Sequence, residues 1–125
     1  MIHYRSASVF LAAVLATPLF SQSFYGTIVG TVSDSSRSAV PQASVTLVNS
    51  GTSERRAAQT DGEGAYRFVN LIPGAYRIEV EHSGFRRHAQ DNVVVAVEAT
   101  LRVDIALQVG EVTQILEVSS QAPLL

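Results

Sequence analysis

Thr60-Asp61-Gly62-Glu63-Gly64-Ala65-Tyr66-Arg67-Phe68-Val69-Asn70-Leu71-Ile72-Pro73-Gly74-Ala75-Tyr76-Arg77-Ile78-Glu79-Val80-Glu81-His82-Ser83-Gly84-Phe85 sets apolar and polar residues in alternation between closely spaced turn signals. A period of two marks a strand with one buried face, so this run predicts strand, tight turn, strand, tight turn. Asp61-Gly62 and Gly64 can take the positive backbone angles of a hairpin, and Pro73-Gly74 suits the central positions of a type II turn. Tyr66 and Phe68 share one face, as do Tyr76, Ile78 and Val80. Arg67, Arg77, Glu79 and Glu81 point the other way.

The same alternation extends in both directions. Ile28 and Val32 share a face of a first strand, with Gly30 between them, and Val45 and Leu47 share a face of a second. A glycine inside a strand weakens it unless something approaches closely, and the candidates here are the rings of Tyr66 or Tyr76. Glu54 to Thr60 has little to bury and reads as an edge strand whose charges discourage pairing with another chain. Val93-Val94-Val95-Ala96-Val97 is apolar enough for a central strand. Leu101, Val103, Ile105 and Leu107 line one face of the next, with Arg102, Asp104 and Gln108 opposite. Val112, Gln114, Leu116 and Val118 predict one face of a last strand, with Ile115 on the other as a contact for whatever follows. Phe85, after Gly84, is placed to close the bottom of the core. One apolar and one wet face per strand is the pattern of an antiparallel sandwich, here of seven or eight strands.

These segments resemble a family. T-D-x-x-G-x-Y-x-F-x-N-L-x-P-G-x-Y-x-I-x-V-x-x-x-G-F over residues 60–85, the opening G-x-I-x-G-x-V-x-D at Gly26 to Asp34, and P-x-A-x-V-x-L at Pro41 to Leu47 are similar to the carboxypeptidase regulatory-like domain. The likeness runs from about residue 26 to about residue 118 and implies an all-β, immunoglobulin-like or transthyretin-like sandwich. The chain departs from the pattern in two turns. Asp34-Ser35-Ser36-Arg37-Ser38 stands where the family has D-P-x-G, and Pro41-Gln42-Ala43 stands where it has P-G-A. The resemblance implies no catalysis, because the zinc ligands of metallocarboxypeptidases belong to a separate domain.

The two ends bound the domain. Arg5 and the amino terminus precede the apolar run Val9 to Phe20, and Ser21 and Ser23 are small residues at the right spacing for cleavage. Residues 1–23 therefore read as a signal helix. The apolar stretch is shorter than the roughly 20 residues that cross a bilayer, and Pro18 interrupts it. Removing these 23 residues from 125 leaves 102, enough for one domain at 24–118 and a linker or truncated tail at 119–125. With no cysteine, the exported fold has no disulfide. All nine basic residues are Arg, against eleven acidic ones. A weakly acidic domain lacks the basic face that nucleic acid requires.

No constellation for chemistry emerges. His82 and His88 lack zinc-ligand spacing and read as solvated loop histidines, and Asp61-Gly62-Glu63-Gly64 offers too few oxygens for calcium. No serine is framed as a nucleophile. The expectation is no enzyme, no catalytic residue, no cofactor and no metal. Residues placed to meet a ligand or partner are Tyr25 near the processed terminus and the pairs Arg55-Arg56 and Arg86-Arg87. The resemblance, together with Val118 to Leu124, implies an exported accessory domain in the periplasm or outer membrane. Its partners would be an envelope protein or the plug and barrel of a TonB-dependent receptor in the same polypeptide. The competing reading is a carbohydrate-binding module.

Overall fold

The computed structural model describes residues 12–13, 24–110 and 115–119. The expected cleavage after Ser23, the tail beyond Ser119, and the expected inward Val112 and Gln114 lie outside the described residues. Among those described there are nine strands and no helix: β1 (Gly26–Ser33), β2 (Ser44–Asn49), β3 (Arg55–Gln59), β4 (Ala65–Leu71), β5 (Gly74–Glu81), β6 (Arg87–Val95), β7 (Thr100–Arg102), β8 (Ile105–Ala106) and β9 (Ile115–Ser119). They form two sheets, β4-β1-β7 with β8 also on β1, and β3-β2-β5-β6-β9. β7 and β8 lie along successive parts of β1, so they act as one interrupted strand and the sandwich has eight.

The sheets are mixed. β7 and β8 run parallel to β1, and β9 runs parallel to β6. The reason lies in a short crossing. Residues 96–99 carry the chain from the end of β6 over one pole of the sandwich, to the point where β1 also starts. β7 must then run in the same direction as β1.

Both turns of the 60–85 run differ from the hairpins predicted. β3 and β5 belong to one sheet and β4 to the other, so each turn is an arch between layers. In the first, the Asp61 carboxylate accepts from the amides of Glu63 and Ala65, each at 2.9 Å, and Gly64 sits at φ 74°. In the second, Gly74 has φ 153°, far from the roughly 80° of a type II turn. The left-handed residue is Asn70, at φ 56°.

Asn70 marks a bulge. Phe68 faces Ile28 and Leu71 faces Gly26, which leaves one surplus residue in β4. Asn92, at φ 57°, sits at the same kind of shift in β6, where Val93 faces Tyr76 and Gln90 faces Ile78. An extra residue reverses the phase of everything after it. Leu71 and Val93 thereby turn inward.

The core has the residues that alternation selects: Ile28, Val32, Val45, Leu47, Tyr66, Phe68, Tyr76, Ile78, Val80, Val103, Ile105 and Leu107, joined by Leu71, Val93 and Val95. Phe85 is half-buried and packs against this cluster. β3 is an edge strand as expected. β6 is a central strand but begins at Arg87, six residues before the predicted start, and leaves Ala96 and Val97 outside. Gly30 explains itself: a Cβ there would collide with the Val103 carbonyl and approach the Tyr66 hydroxyl. Tyr66, not Tyr76, is the ring concerned. Its buried hydroxyl donates to the Val103 oxygen at 2.5 Å, and burial pushes the phenol pKa well up.

Candidate functional site

The two sequence departures from the family pattern keep the backbone that glycine would favour. Arg37 sits at φ 67° and Gln42 at φ 57°. The first is held by Asp34, whose Oδ1 accepts from the Ser36 hydroxyl, the Ser36 amide and the Ser38 amide. Those bonds, the Ser36 hydroxyl foremost, lower the Asp34 pKa. The second is held by Thr60. The Gln42 amide donates to the Thr60 carbonyl, the Thr60 hydroxyl accepts from the Ala43 amide at 2.8 Å, and it donates to the Val40 carbonyl at 2.7 Å.

Thr60 and His88 are the two buried polar residues among those described, at 3% and 6% exposure. His88 is not the solvated loop residue that its neighbours Arg86, Arg87 and Gln90 suggest. It lies in β6, opposite Val80 of β5 and Leu116 of β9. Both ring nitrogens are buried without a hydrogen-bond partner. Burial lowers its pKa, and the nearby Gln90 side chain opposes this without reaching hydrogen-bond geometry.

The outer face of the five-stranded sheet is a charge lattice. Arg77 pairs with Asp91 at 2.7 Å, Glu79 at 3.1 Å and Glu117 at 3.3 Å, linking β5, β6 and β9. These acids, Asp91 first, raise the Arg77 pKa further. Of the four arginines proposed from sequence, Arg55 and Arg87 belong to this lattice: Arg55 reaches Glu79 at 4.0 Å, and Arg87 reaches Glu79 and Glu81. Arg56 crosses to the other sheet, donates to the Val69 carbonyl at 2.6 Å and lies over the Phe68 ring. Arg86 is partly buried, and its Nε has no partner. The four therefore form no common site.

Tyr25 lies elsewhere, at the pole crossed by residues 96–99. Its ring stacks on Phe24 with centroids 4.7 Å apart, and the Phe24 carbonyl accepts from the Glu98 amide. Ile72 and Val97 are also exposed at this end. Nearby, Asn49, Arg56, Ile72 and Tyr76 help to line a cavity of about 70 Å³. That is room for a couple of waters, at about 30 Å³ each. A larger open groove of about 520 Å³ lies beside Thr31, Gln59, Asp61, Arg67 and Arg102. Among the described residues no three His, Asp or Glu side chains converge as metal ligands.

Residues 27–108 match the family model described as the carboxypeptidase regulatory-like domain. The chain belongs to this family. Over 117 residues, the regulatory-like domain and its flanks are 32% identical to the TonB-dependent transporter Oar of Myxococcus xanthus. That alignment takes in 89% of this chain but 11% of the transporter, so the chain spans about a ninth of its relative. Among solved structures, the Bacillus anthracis TIE protein matches at TM-score 0.59 and 15% identity, over 68% of this chain and 16% of that one. Catechol 1,2-dioxygenase of Acinetobacter matches at 0.58 and 12%, over 74% and 55%. At such identities these matches speak for the fold alone.

Proposed function

We propose that this regulatory-like domain is a non-catalytic accessory part of a TonB-dependent outer-membrane receptor, exported by residues 1–23 and joined through 119–125 to a plug and barrel. One observation carries the reading: the 32% identity to a TonB-dependent transporter covers 89% of the chain, more than the span of the family model. The described side chains agree with a role in presenting surfaces. The charged groups on the outer face of the five-stranded sheet are engaged with one another, Ser35, Ser36, Ser38, Ser50 and Ser53 lie in loops, and the aromatic rings other than Phe24 and Tyr25 serve the core. Partners are met through outer strands, loops and the Tyr25 pole.

Fractionation of the source cells with an antibody to this domain tests the proposal. The epitope is expected in the outer membrane, on a polypeptide several times heavier than 13.4 kDa. Recovery only as a small soluble species overturns it. The exposed Phe24–Tyr25 stack is the observation that favours the second reading, carbohydrate binding, because sugars are commonly held on exposed rings. Binding of a defined oligosaccharide that Tyr25→Ala abolishes replaces the first reading with the second.

A further inference from the structure

His88 is a buried ionisable group for which neither structure nor proposed role supplies a use. The neutral ring can stay where it is. An imidazolium has two N–H donors and a charge, and neither nitrogen meets an acceptor. The buried set contains no carboxylate; its other members besides Thr60 are apolar. The flanking residues of the same face are Arg86, just before β6 and a cation that repels an imidazolium, and neutral Gln90 on β6. From β5 it faces Val80, with His82 at the strand's end, its Nδ1 against the Ser83 carbonyl. From β9 it faces Leu116, with Val118 next on that side. Glu79, Glu81, Asp91 and Glu117 belong to the lattice on the opposite face and cannot reach it through the sheet.

A charged ring must therefore be hydrated, and the two neighbouring strands offer unequal routes. β5 lies between β2 and β6 and is held on both sides. β9 is five residues long, is paired among the described strands with β6 alone, and exposes Ile115 to 52% and Val118 to 39%. Opening a short edge strand costs far less than opening a central one. We propose that His88 is an acid-sensitive latch: protonation of its ring frees β9 from the sheet and leaves the rest of the sandwich folded. The depressed pKa is consistent with this cost. The device would let acidity change how the domain is tied to whatever follows Ser119, and it stands whether or not that is a receptor.

Hydrogen exchange of the full chain, read by mass spectrometry at about pH 7.5 and about pH 5 and corrected for the intrinsic rate, tests the latch across the range where histidine titrates. Peptides covering 115–119 should lose protection at least roughly tenfold at the lower pH while those of β2 keep theirs. His88→Leu should hold β9 closed at both values. Unchanged protection of β9, parallel loss in β2, or opening of the His88→Leu variant overturns the proposal. If that variant does not fold, the native chain still decides. The NMR titration of the His88 ring should coincide with the shift of the β9 amides. A His88 titration that leaves those amides unmoved overturns it as well.

Discussion

Two corners of this sandwich bury a polar side chain, and they do so in opposite ways. At the end of β3, Thr60 has a partner for each polar group that it buries, and through them it fixes the loop 40–43 against the strand. In β6, His88 is nearly as deeply buried and has none. The first arrangement builds rigidity, because a satisfied buried group is costly to disturb. The second builds susceptibility. Stability there depends on a proton staying off.

The contrast can be broken most decisively at Thr60. Thr60→Val keeps the shape and orphans the Ala43 amide and the Val40 carbonyl, so chemical denaturation should show a loss of about 2–4 kcal/mol. Thr60→Ser, which keeps the hydroxyl, should lose less than half of that. Equal losses would mean that the methyl group, and not the hydroxyl, holds the corner.

The next effect is one of pH. His88 has its pKa lowered in the folded state, so below about pH 6.5 the unfolded chain binds a proton that the folded one resists, and stability falls as pH falls. The slope from this one group reaches at most about 1.4 kcal/mol per pH unit, and it vanishes above the unfolded pKa. His88→Leu should remove that slope and cost little at neutral pH, since no hydrogen bond is lost. A variant with the same acid profile as the parent would assign the slope to the carboxylates.

Much of this was legible in the chain, but His88 was not. Alternation places Ile28, Val45, Ile78 and Ile105 correctly because each strand obeys it locally. Arg86-Arg87-His88-Ala89-Gln90 looks like a loop because Ala89, on the outer face, is small and covered by the charged lattice, while the inner positions are His and Gln. The bulge at Asn92 then separates this half of β6 from the apolar half by one step of phase. The layer to which each turn delivers the chain was hidden for a different reason. Asp-Gly and Pro-Gly turns satisfy the same local needs in an arch as in a hairpin. Tyr25 was legible as exposed, whereas the engagement of Arg55, Arg56 and Arg87 depends on residues brought from other strands.

Smaller effects sharpen the comparison. The Thr60 corner holds Gln42 at φ 57°, a conformation that disfavours a side chain, so Gln42→Gly should stabilise by up to about 1 kcal/mol in thermal unfolding. A loss would show that the loop gains more from the Gln42 side chain than it loses in strain. On the outer face Arg77→Ala should cost about 1 kcal/mol or less despite its three partners, since Asp91 and Glu117 remain wet and Glu79 keeps Arg87, and added salt should shrink the difference. A larger, salt-insensitive loss would make the lattice a structural element on a par with the Thr60 corner.

The arches between layers also set a timetable for folding. Asn49 to Arg55 and Glu81 to Arg87 close by short connections, so the pairs β2–β3 and β5–β6 can each form from near neighbours and then join where Val45 meets Val80. β1 has no such neighbour: Gly26 meets Leu71, and Ile28 meets Leu101. Long loops must close before those contacts repay their entropy, so β1 should join late. Val80→Ala is then expected to slow folding and Ile28→Ala chiefly to hasten unfolding, a split that stopped-flow kinetics can read. A chain whose first strand settles last keeps β1 unpaired until the strands that must receive it have met one another.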